Sequence, residues 1–189
     1  MPEPLPLPSD EQLPDEVREL LANLPPLNIF RMLGHAPASF RPFLELGGSI
    51  LGNQDFDAGL REIAILRVAA VTGAGYERAQ HVQLARNVGV PDADIEATAA
   101  DGPVTGLGDD ATLVCRAVDE ISRDVRLSDE ALELVVERWG ASGAAHLILC
   151  VGYYNMVSRF LESARVPLED DALLEGTTPD EIIERGSAE

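Results

Sequence analysis

Three ionisable side chains, Glu62, Glu77 and His81, have types and spacing suited to proton transfer. Glu77 precedes His81 by four residues, so both side chains face the same way if their segment is helical. Glu62 lies in the preceding segment among apolar residues, where a carboxylate needs a partner or a raised pKa. If the two segments fold back on each other, His81 is a candidate partner for Glu62. Such a group can hold, orient or pass a proton.

The same residues also allow two other interpretations. In a purely structural one, Glu62 pairs with Arg61 or Arg67, while Glu77 and His81 form a solvated surface pair. In a metal site, Glu77 and His81 bind one ion and Glu62 supplies a third ligand. Spacing of this kind often arises by chance, so we expect no metal here.

Helical periodicity predicts the elements that position these residues. The segment 58–72, AGLREIAILRVAAVT, is apolar on nearly all sides, and Asp57 precedes it as a candidate N-cap. Gly73 and Gly75 interrupt the pattern, which resumes near Tyr76 and ends at Gly89. The sequence therefore predicts a central hairpin of two helices.

The remaining periodicity predicts an all-α protein, because no segment alternates apolar and polar residues over the length of a strand. We expect an extended N-terminal arm over 1–14, a helical domain over 15–166 and an acidic tail over 167–189. Within the domain, further helices are predicted in these segments: 15–24, near 30–33, 40–51, 91–100, 110–125, 128–140 and 142–164. A capping pattern at Thr178 predicts a small last helix near 181–185.

Composition excludes several classes of function. The formal net charge of −19 disfavours nucleic acids and anionic membranes as partners. All 14 basic residues are Arg, which removes Schiff-base, pyridoxal-phosphate and P-loop lysine chemistry. The two cysteines, Cys115 and Cys150, form no C-x-x-C pair. The start of the chain shows no export signal, and the most apolar segments are too short to cross a bilayer. We expect a cytoplasmic protein with no membrane or nucleic-acid partner.

One stretch, LREIAILRVAAVTGAGYERAQHVQLARNVGV, resembles the core motif of the carboxymuconolactone decarboxylase family, which includes the alkylhydroperoxidase D-like proteins. The family pattern has a Glu in one helix, a C-x-x-C or its remnant after a turn, and a His in the next helix. Here Glu62 and His81 take those places, 19 residues apart. The stretch YYNMVSRFL, 153–161, is similar to the long pocket-lining helix of the longer members. The resemblance implies an alkylhydroperoxidase D-like helical bundle that assembles as a homo-oligomer, from dimer to hexamer.

The resemblance also implies an activity. The two cysteine positions hold Ala74 and Glu77, which excludes the dithiol peroxidase route. What is left resembles the decarboxylase branch, where His81 is the expected proton donor and Glu77 or Glu62 holds its tautomer. That chemistry needs no metal or organic cofactor. We expect an enzyme acting on a small carboxylated or lactone metabolite, with isomerase and lactone-opening roles as alternatives, and a non-catalytic binding or scaffold protein as the alternative of a different class.

Candidate substrate-binding residues follow from this expectation. Charge complementarity favours Arg67 and Arg159 for a substrate carboxylate. Tyr76, Tyr154 and Asn155 are candidates for the pocket wall, where their hydroxyl and amide groups can contact a ligand. For the tyrosines, a core position with the hydroxyl at its edge is the alternative.

Overall fold

The chain folds around one buried helix, as its composition predicts. The computed structural model describes residues 3–169, 173, 174 and 177. Among these it contains eight α-helices and no strand: α1 (Asp15–Asn23), α2 (Asn28–Leu33), α3 (Pro37–Leu51), α4 (Ala58–Thr72), α5 (Gly75–Asn87), α6 (Asp92–Ala97), α7 (Asp109–Asp124) and α8 (Asp129–Ala164). The all-α prediction is confirmed. The small helix predicted near 181–185 lies outside the described residues.

Helix α4 is the centre of the fold. Every residue from 61 to 69 is buried, as expected for a helix that is apolar nearly all round. Helices α5, α7 and α8 pack against it. The amphipathic α7 turns Val114 and Val118, both fully buried, into this core. These contacts fix α4 from three sides, so side chains that leave α4 have defined surroundings.

Local signals set the ends of α4. The Asp57 carboxylate accepts a hydrogen bond of 2.9 Å from the amide of Leu60, which caps the N-terminus. At the other end Gly73 has a left-handed backbone, with φ of 72°, which glycine adopts without strain. The chain then turns into α5 within two residues. This turn makes α4 and α5 the predicted hairpin.

Helix α8 combines the two helices predicted over 128–140 and 142–164. Ser128 caps its start, and Gly140 interrupts it with non-helical angles, φ 68° and ψ 178°. Its most apolar 18-residue window has a mean hydropathy of 1.3, and 33% of that window is buried. By length and composition alone, it is the one described helix able to cross a membrane. Its buried side, which includes Leu147, Val151 and Leu161, packs against α4 and α7.

The described segments before α1 and after α8 pack onto this bundle. The N-terminal arm is extended apart from a short 3₁₀ turn, Asp10–Gln12, and the Leu5 amide donates to the carbonyl of Ala164. After α8, the segment 166–169 runs along α2 and α5. There Glu169 binds the Asn28 amide, and further on Asn87 donates to the carbonyls of Leu174 and Thr177.

Candidate active site

The hairpin brings the three ionisable residues of the sequence motif into one buried group. Glu62 projects from α4 and is 0% exposed, while Glu77 and His81 project from α5 and are 4% and 7% exposed. Nδ1 of His81 lies 2.7 Å from Oε2 of Glu62, and Nε2 lies 3.1 Å from Oε1 of Glu77. The imidazole therefore has a carboxylate at each ring nitrogen. We call Glu62, His81 and Glu77 the triad.

This geometry determines the charge of the imidazole. A neutral ring has one N–H group and would turn a bare nitrogen towards one of the two carboxylates, whereas an imidazolium donates to both. Burial by itself lowers the pKa of His81, but the charge and hydrogen bond of Glu62, together with those of Glu77, outweigh it and raise the pKa to about 10. His81 thus holds a proton near neutral pH.

Aromatic residues of α8 enclose the triad. The ring of Tyr154 meets that of His81 edge to face, with centroids 5.1 Å apart and an angle of 86°. Tyr153 stacks edge-on against Tyr154, and its hydroxyl donates to the carbonyl of Phe43 over 3.1 Å. Burial and the nearby carboxylates raise the pKa of Tyr154 well above its usual value of 10, so its hydroxyl stays protonated. The two tyrosines limit the access of water to His81.

One carboxylate oxygen of the triad has no partner within the described structure. Oε1 of Glu62 is buried and unbonded, although Oε2 of the same group binds His81. A buried carboxylate oxygen without a donor lowers the stability of the fold. Such unsatisfied groups are concentrated at functional sites, where a ligand, a water molecule or a change of protonation can satisfy them.

The triad opens into a cavity of about 710 Å³, a volume typical of small-molecule sites. Glu77 and His81 line it, and Glu62 lies behind His81. The rest of the wall is mainly apolar and comes from α1, α2, α3, α5 and α8, with Leu24, Leu27, Phe30, Phe43 and Val157 among its residues. A proton-bearing group thus faces an apolar chamber.

A second, shallower depression of about 1010 Å³ lies elsewhere, between α4, α6, α7 and α8. Its charged wall consists of aspartates, Glu137 and Arg138, and it contains no histidine. Arg138 is already held by both carboxylate oxygens of Asp110. The smaller cavity is therefore the candidate active site, because it alone of the two contains the triad.

Comparison with known proteins bears on this arrangement. The family model described as the carboxymuconolactone decarboxylase family matches residues 37–120, which span α3 to α7 and contain the whole triad. Over these residues the chain matches the carboxymuconolactone decarboxylase family. The resemblance found in the sequence is confirmed.

The fold agrees with that of a solved protein. The crystal structure of a Ralstonia eutropha JMP134 protein, described as an alkylhydroperoxidase AhpD core and a peroxidase-related protein, aligns with a TM-score of 0.78. The two sequences are 17% identical, and the alignment covers 90% of this chain and 94% of the other. The chain therefore has the alkylhydroperoxidase D-like fold, as predicted. No curated protein matches it.

Neither of the two cysteines lines the cavity. Cys115 is on α7 and Cys150 on α8, and both are buried and unpaired. Burial raises the pKa of Cys115 to about 12 and that of Cys150 further, so both remain thiols rather than reactive thiolates. The positions after the turn hold Ala74 and Glu77, as the sequence showed, and Glu77 points its carboxylate at His81 instead.

Three of the predicted substrate-binding residues do not reach the cavity. Arg67 is 0% exposed, and all its contacts are structural. Two of its nitrogens donate to the carboxylate of Asp119 over 2.8 and 2.9 Å, and it also donates to three backbone carbonyls. Asn155 turns towards α7, where it binds Ser122 over 2.8 Å. Arg159 lies exposed on α8 and donates back to Asn155. These three residues therefore do not line this cavity, because local spacing does not show which side of a helix faces it.

The other two predicted pocket residues do line the cavity, with their polar groups differently engaged. Tyr154 covers His81, as described above. The hydroxyl of Tyr76 donates to Oε1 of Glu169 over 2.6 Å and accepts from the amide of Ile29 over 3.2 Å. Tyr76 therefore ties α2, α5 and the segment after α8 together, and its hydroxyl is already engaged by protein groups.

The sequence analysis missed three residues of this site. Among the described residues that line the cavity, Arg41 is the only arginine. Glu169 holds the segment after α8 through Asn28, Tyr76 and Gln80. At Gly47, an added Cβ would lie 2.5 Å from the hydroxyl oxygen of Tyr153, so only glycine permits this close approach. None of the three stands in a recognisable motif.

The geometry of the triad also bears on the metal alternative. Glu62 and Glu77 bind opposite nitrogens of one imidazole ring, so their oxygens do not converge with a ring nitrogen on one point. Within the described part of the chain, no group of three or more His, Cys, Asp or Glu side chains is arranged to hold a metal ion.

Proposed function

We propose that this protein is a cofactor-independent acid–base enzyme that moves a proton on a small carboxylated or lactone metabolite, with His81, Glu62 and Glu77 as its catalytic residues. One observation carries the proposal: a buried histidine, with a carboxylate at each ring nitrogen, stands at the wall of a mainly apolar cavity. Ionisable groups with strongly shifted pKa values in a cavity are typical of catalytic sites.

The contacts assign a role to each residue. Glu77 lines the cavity and shares the Nε2 proton of His81, so it is the carboxylate that exchanges a proton with substrate carbon. His81 supplies or accepts that proton behind it. Glu62 binds Nδ1 and holds the ring in place while stabilising its charge. This differs from the expected direct donation by His81, because Glu77 occupies its Nε2.

The same relay serves two related reactions. In a decarboxylation, the carbon–carbon bond breaks, carbon dioxide leaves, and the electron pair stays on the substrate as an enolate. The proton held by Glu77 and His81 then binds to that carbon. In an isomerisation, Glu77 removes a proton from one carbon and the pair returns one to another. Neither reaction needs a thiol, which agrees with the buried positions of both cysteines.

The test is turnover of a panel of lactones, lactone acids and unsaturated carboxylates, followed by mass spectrometry. We expect the wild type to convert at least one compound and His81→Gln to lose about 100-fold or more in rate. His146→Gln is the matched control, since His146 is also a buried histidine but lies outside the cavity. Equal rates in the wild type and His81→Gln would refute the proposal, and binding without any turnover would favour the scaffold alternative.

We also propose that the enzyme is a homo-oligomer joined through α8. Its second half has an exposed face formed by Ala141, Ala145, Leu149, Gly152 and Met156, of which Leu149 is 58% exposed. Small and apolar residues at helical spacing allow two helices to approach closely. Light scattering should give a mass above 20.3 kDa for the wild type and a smaller assembly for Leu149→Glu. A monomeric wild type would refute this proposal.

A further inference from the structure

The inner end of the cavity has an excess of negative charge. The triad combines two carboxylates with one imidazolium, which leaves one negative charge uncompensated. All three side chains are less than a tenth exposed, so solvent screens this charge poorly. Within the described residues, the wall beside His81 and Glu77 includes Tyr76, Tyr153 and Tyr154 but no cation other than His81 itself. A carboxylate placed against Glu77 would be repelled.

The mouth of the cavity does not reverse this preference. Arg41, on α3, is 54% exposed in its side chain and lies 3.5 Å from the carboxylate of Glu16. Glu45 follows one helical turn later and also lines the cavity. The positive charge of Arg41 is thus flanked by two acids and solvent. An arginine with these neighbours offers little free attraction to an anionic ligand.

The other arginines of the motif region are engaged away from the chamber. Arg67 is fully buried in its network with Asp119 and backbone carbonyls. Arg61, 3% exposed, does not line the cavity and donates to the carbonyl of Asn53. A binding site for the carboxylate of a substrate would require one such group to point into the cavity.

From these observations we propose that the site takes an uncharged carbonyl compound, such as a lactone or an enone with a hydrocarbon body, and excludes substrates that bring a carboxylate to the triad. The proposal rests on the proposed acid–base function and narrows its substrate class. The hydrocarbon body of the ligand packs against the apolar wall formed by residues such as Leu24, Leu27 and Phe30, and its carbonyl group faces Glu77 and His81. Such a compound brings no net negative charge to Glu77 and, unlike an ammonium group, has a C–H bond beside a carbonyl from which Glu77 can remove a proton.

Protonation chemistry at such a compound is balanced without a further reactant. Glu77 takes a proton from the carbon next to the carbonyl, the electron pair of the C–H bond moves into an enolate, and the positive charge of His81 stabilises the negative oxygen. Return of the proton to the same or another carbon regenerates Glu77. The reaction is an isomerisation or an exchange, and no carbon dioxide leaves.

The experiment compares two ligands that differ mainly in charge: γ-nonalactone and its ring-opened salt, 4-hydroxynonanoate. Calorimetric titration of the wild type should give an affinity for the lactone at least about 10-fold higher than for the acid. Glu77→Gln removes the excess negative charge, so it should lower the ratio of lactone affinity to acid affinity by about threefold or more. Arg41→Gln should leave the ratio unchanged. Retained lactone affinity shows that each variant is folded.

Two results would overturn the proposal. The first is an acid that binds the wild type as tightly as the lactone, with its affinity lost in Arg41→Gln, which would assign the carboxylate to Arg41. The second is a ratio that Glu77→Gln does not change. Because these are binding measurements, their outcome does not depend on turnover. A preference for the lactone without turnover of any compound would refute the proposed function but not the selectivity. Turnover of acids but not of lactones would refute the selectivity but not the proposed function.

Discussion

Replacing Glu62 with Gln should lower the pKa of His81 and show how much of the site's charge this contact maintains. Burial lowers the pKa of His81, but the two carboxylates raise it from its usual 6.5 to about 10. That rise corresponds to about 5 kcal/mol of preferential stabilisation of the imidazolium. Glu62, at 2.7 Å, makes the largest contribution that raises it. Removing that charge while Glu77 remains should lower the pKa by about 2.

The chain suits a direct assay, since it contains only three histidines. With ¹³Cε1-labelled histidine, each imidazole gives one NMR signal whose shift reports its protonation. At pH 8 the His81 signal of the wild type should be that of an imidazolium. His146, whose pKa is lowered first by burial and then by Arg61, should be neutral. Glu45→Gln is the control, because Glu45 lines the cavity but makes no recorded contact with His81.

The same change predicts the pH dependence of stability. A histidine whose pKa is raised by folding stabilises the folded state fully below pH 6.5, and this contribution is lost as the pH rises through about 10. The difference in free energy of unfolding between the wild type and Glu62→Gln should therefore shrink by about 2 kcal/mol between pH 6 and pH 10. Urea titrations at both pH values measure it. A His81 signal that titrates near 6.5 in the wild type, or that ignores Glu62→Gln, would refute the reasoning.

Three further changes test other contacts. Arg67→Leu should destabilise the fold by about 3–5 kcal/mol in urea, because it leaves the largely buried carboxylate of Asp119 with only the more exposed Arg123, 3.8 Å away, as an ion-pair partner. The exposed Arg159→Ala should change the free energy of unfolding by less than about 0.5 kcal/mol, and similar values for the two variants would contradict the structural role of Arg67. Gly47→Ala should displace Tyr153, whose hydroxyl lies against Gly47, and weaken ligand binding to the cavity by about 10-fold, as measured by calorimetry. An unchanged affinity would count against the close contact between Gly47 and Tyr153. Glu169→Gln should speed hydrogen exchange over 166–169 without unfolding the bundle, because the charged acceptor of three hydrogen bonds is lost. Unaltered exchange would show that these bonds do not hold the segment.

Much of the fold followed from local patterns. The run 58–72 was apolar on nearly all sides, had Asp57 before it and Gly73 after it, and formed α4 with those bounds. Burial all round is the physical counterpart of that composition, so pattern and structure agree. The hairpin followed from the same signals. Its short turn is what places residues of α4 and α5, 19 positions apart, in contact.

The predicted pocket residues that do not line the cavity share a physical cause. Arg67 was assigned to the substrate because its charge stood in the motif, but its partner Asp119 lies 52 residues away, and no local pattern reports such a contact. Asn155 follows Tyr154 directly, yet one residue turns a helix by about 100°, which takes the amide from the cavity to α7. Sequence spacing gave the candidates, and only the packing of helices showed which of them share a chamber.

The missed residues likewise depend on long-range packing. Arg41 has no motif, and its place at the cavity follows from how α3 lies against α8. Glu169 stands in a polar segment whose anchoring the sequence did not predict, although it binds residues 93 and 141 positions away. Gly47 resembled any small residue in a helix until Tyr153 was found against it.

The central claim is that the triad moves a proton between the protein and a carbon atom of its substrate. The most direct measurement is deuterium incorporation from D₂O into a compound of the turnover panel, followed by mass spectrometry. The wild type and His146→Gln should incorporate deuterium at the carbon next to the carbonyl, and Glu77→Gln and His81→Gln should do so at least about 100-fold more slowly. Equal incorporation by the wild type and Glu77→Gln, or none by any of them above the rate in buffer, would contradict the claim.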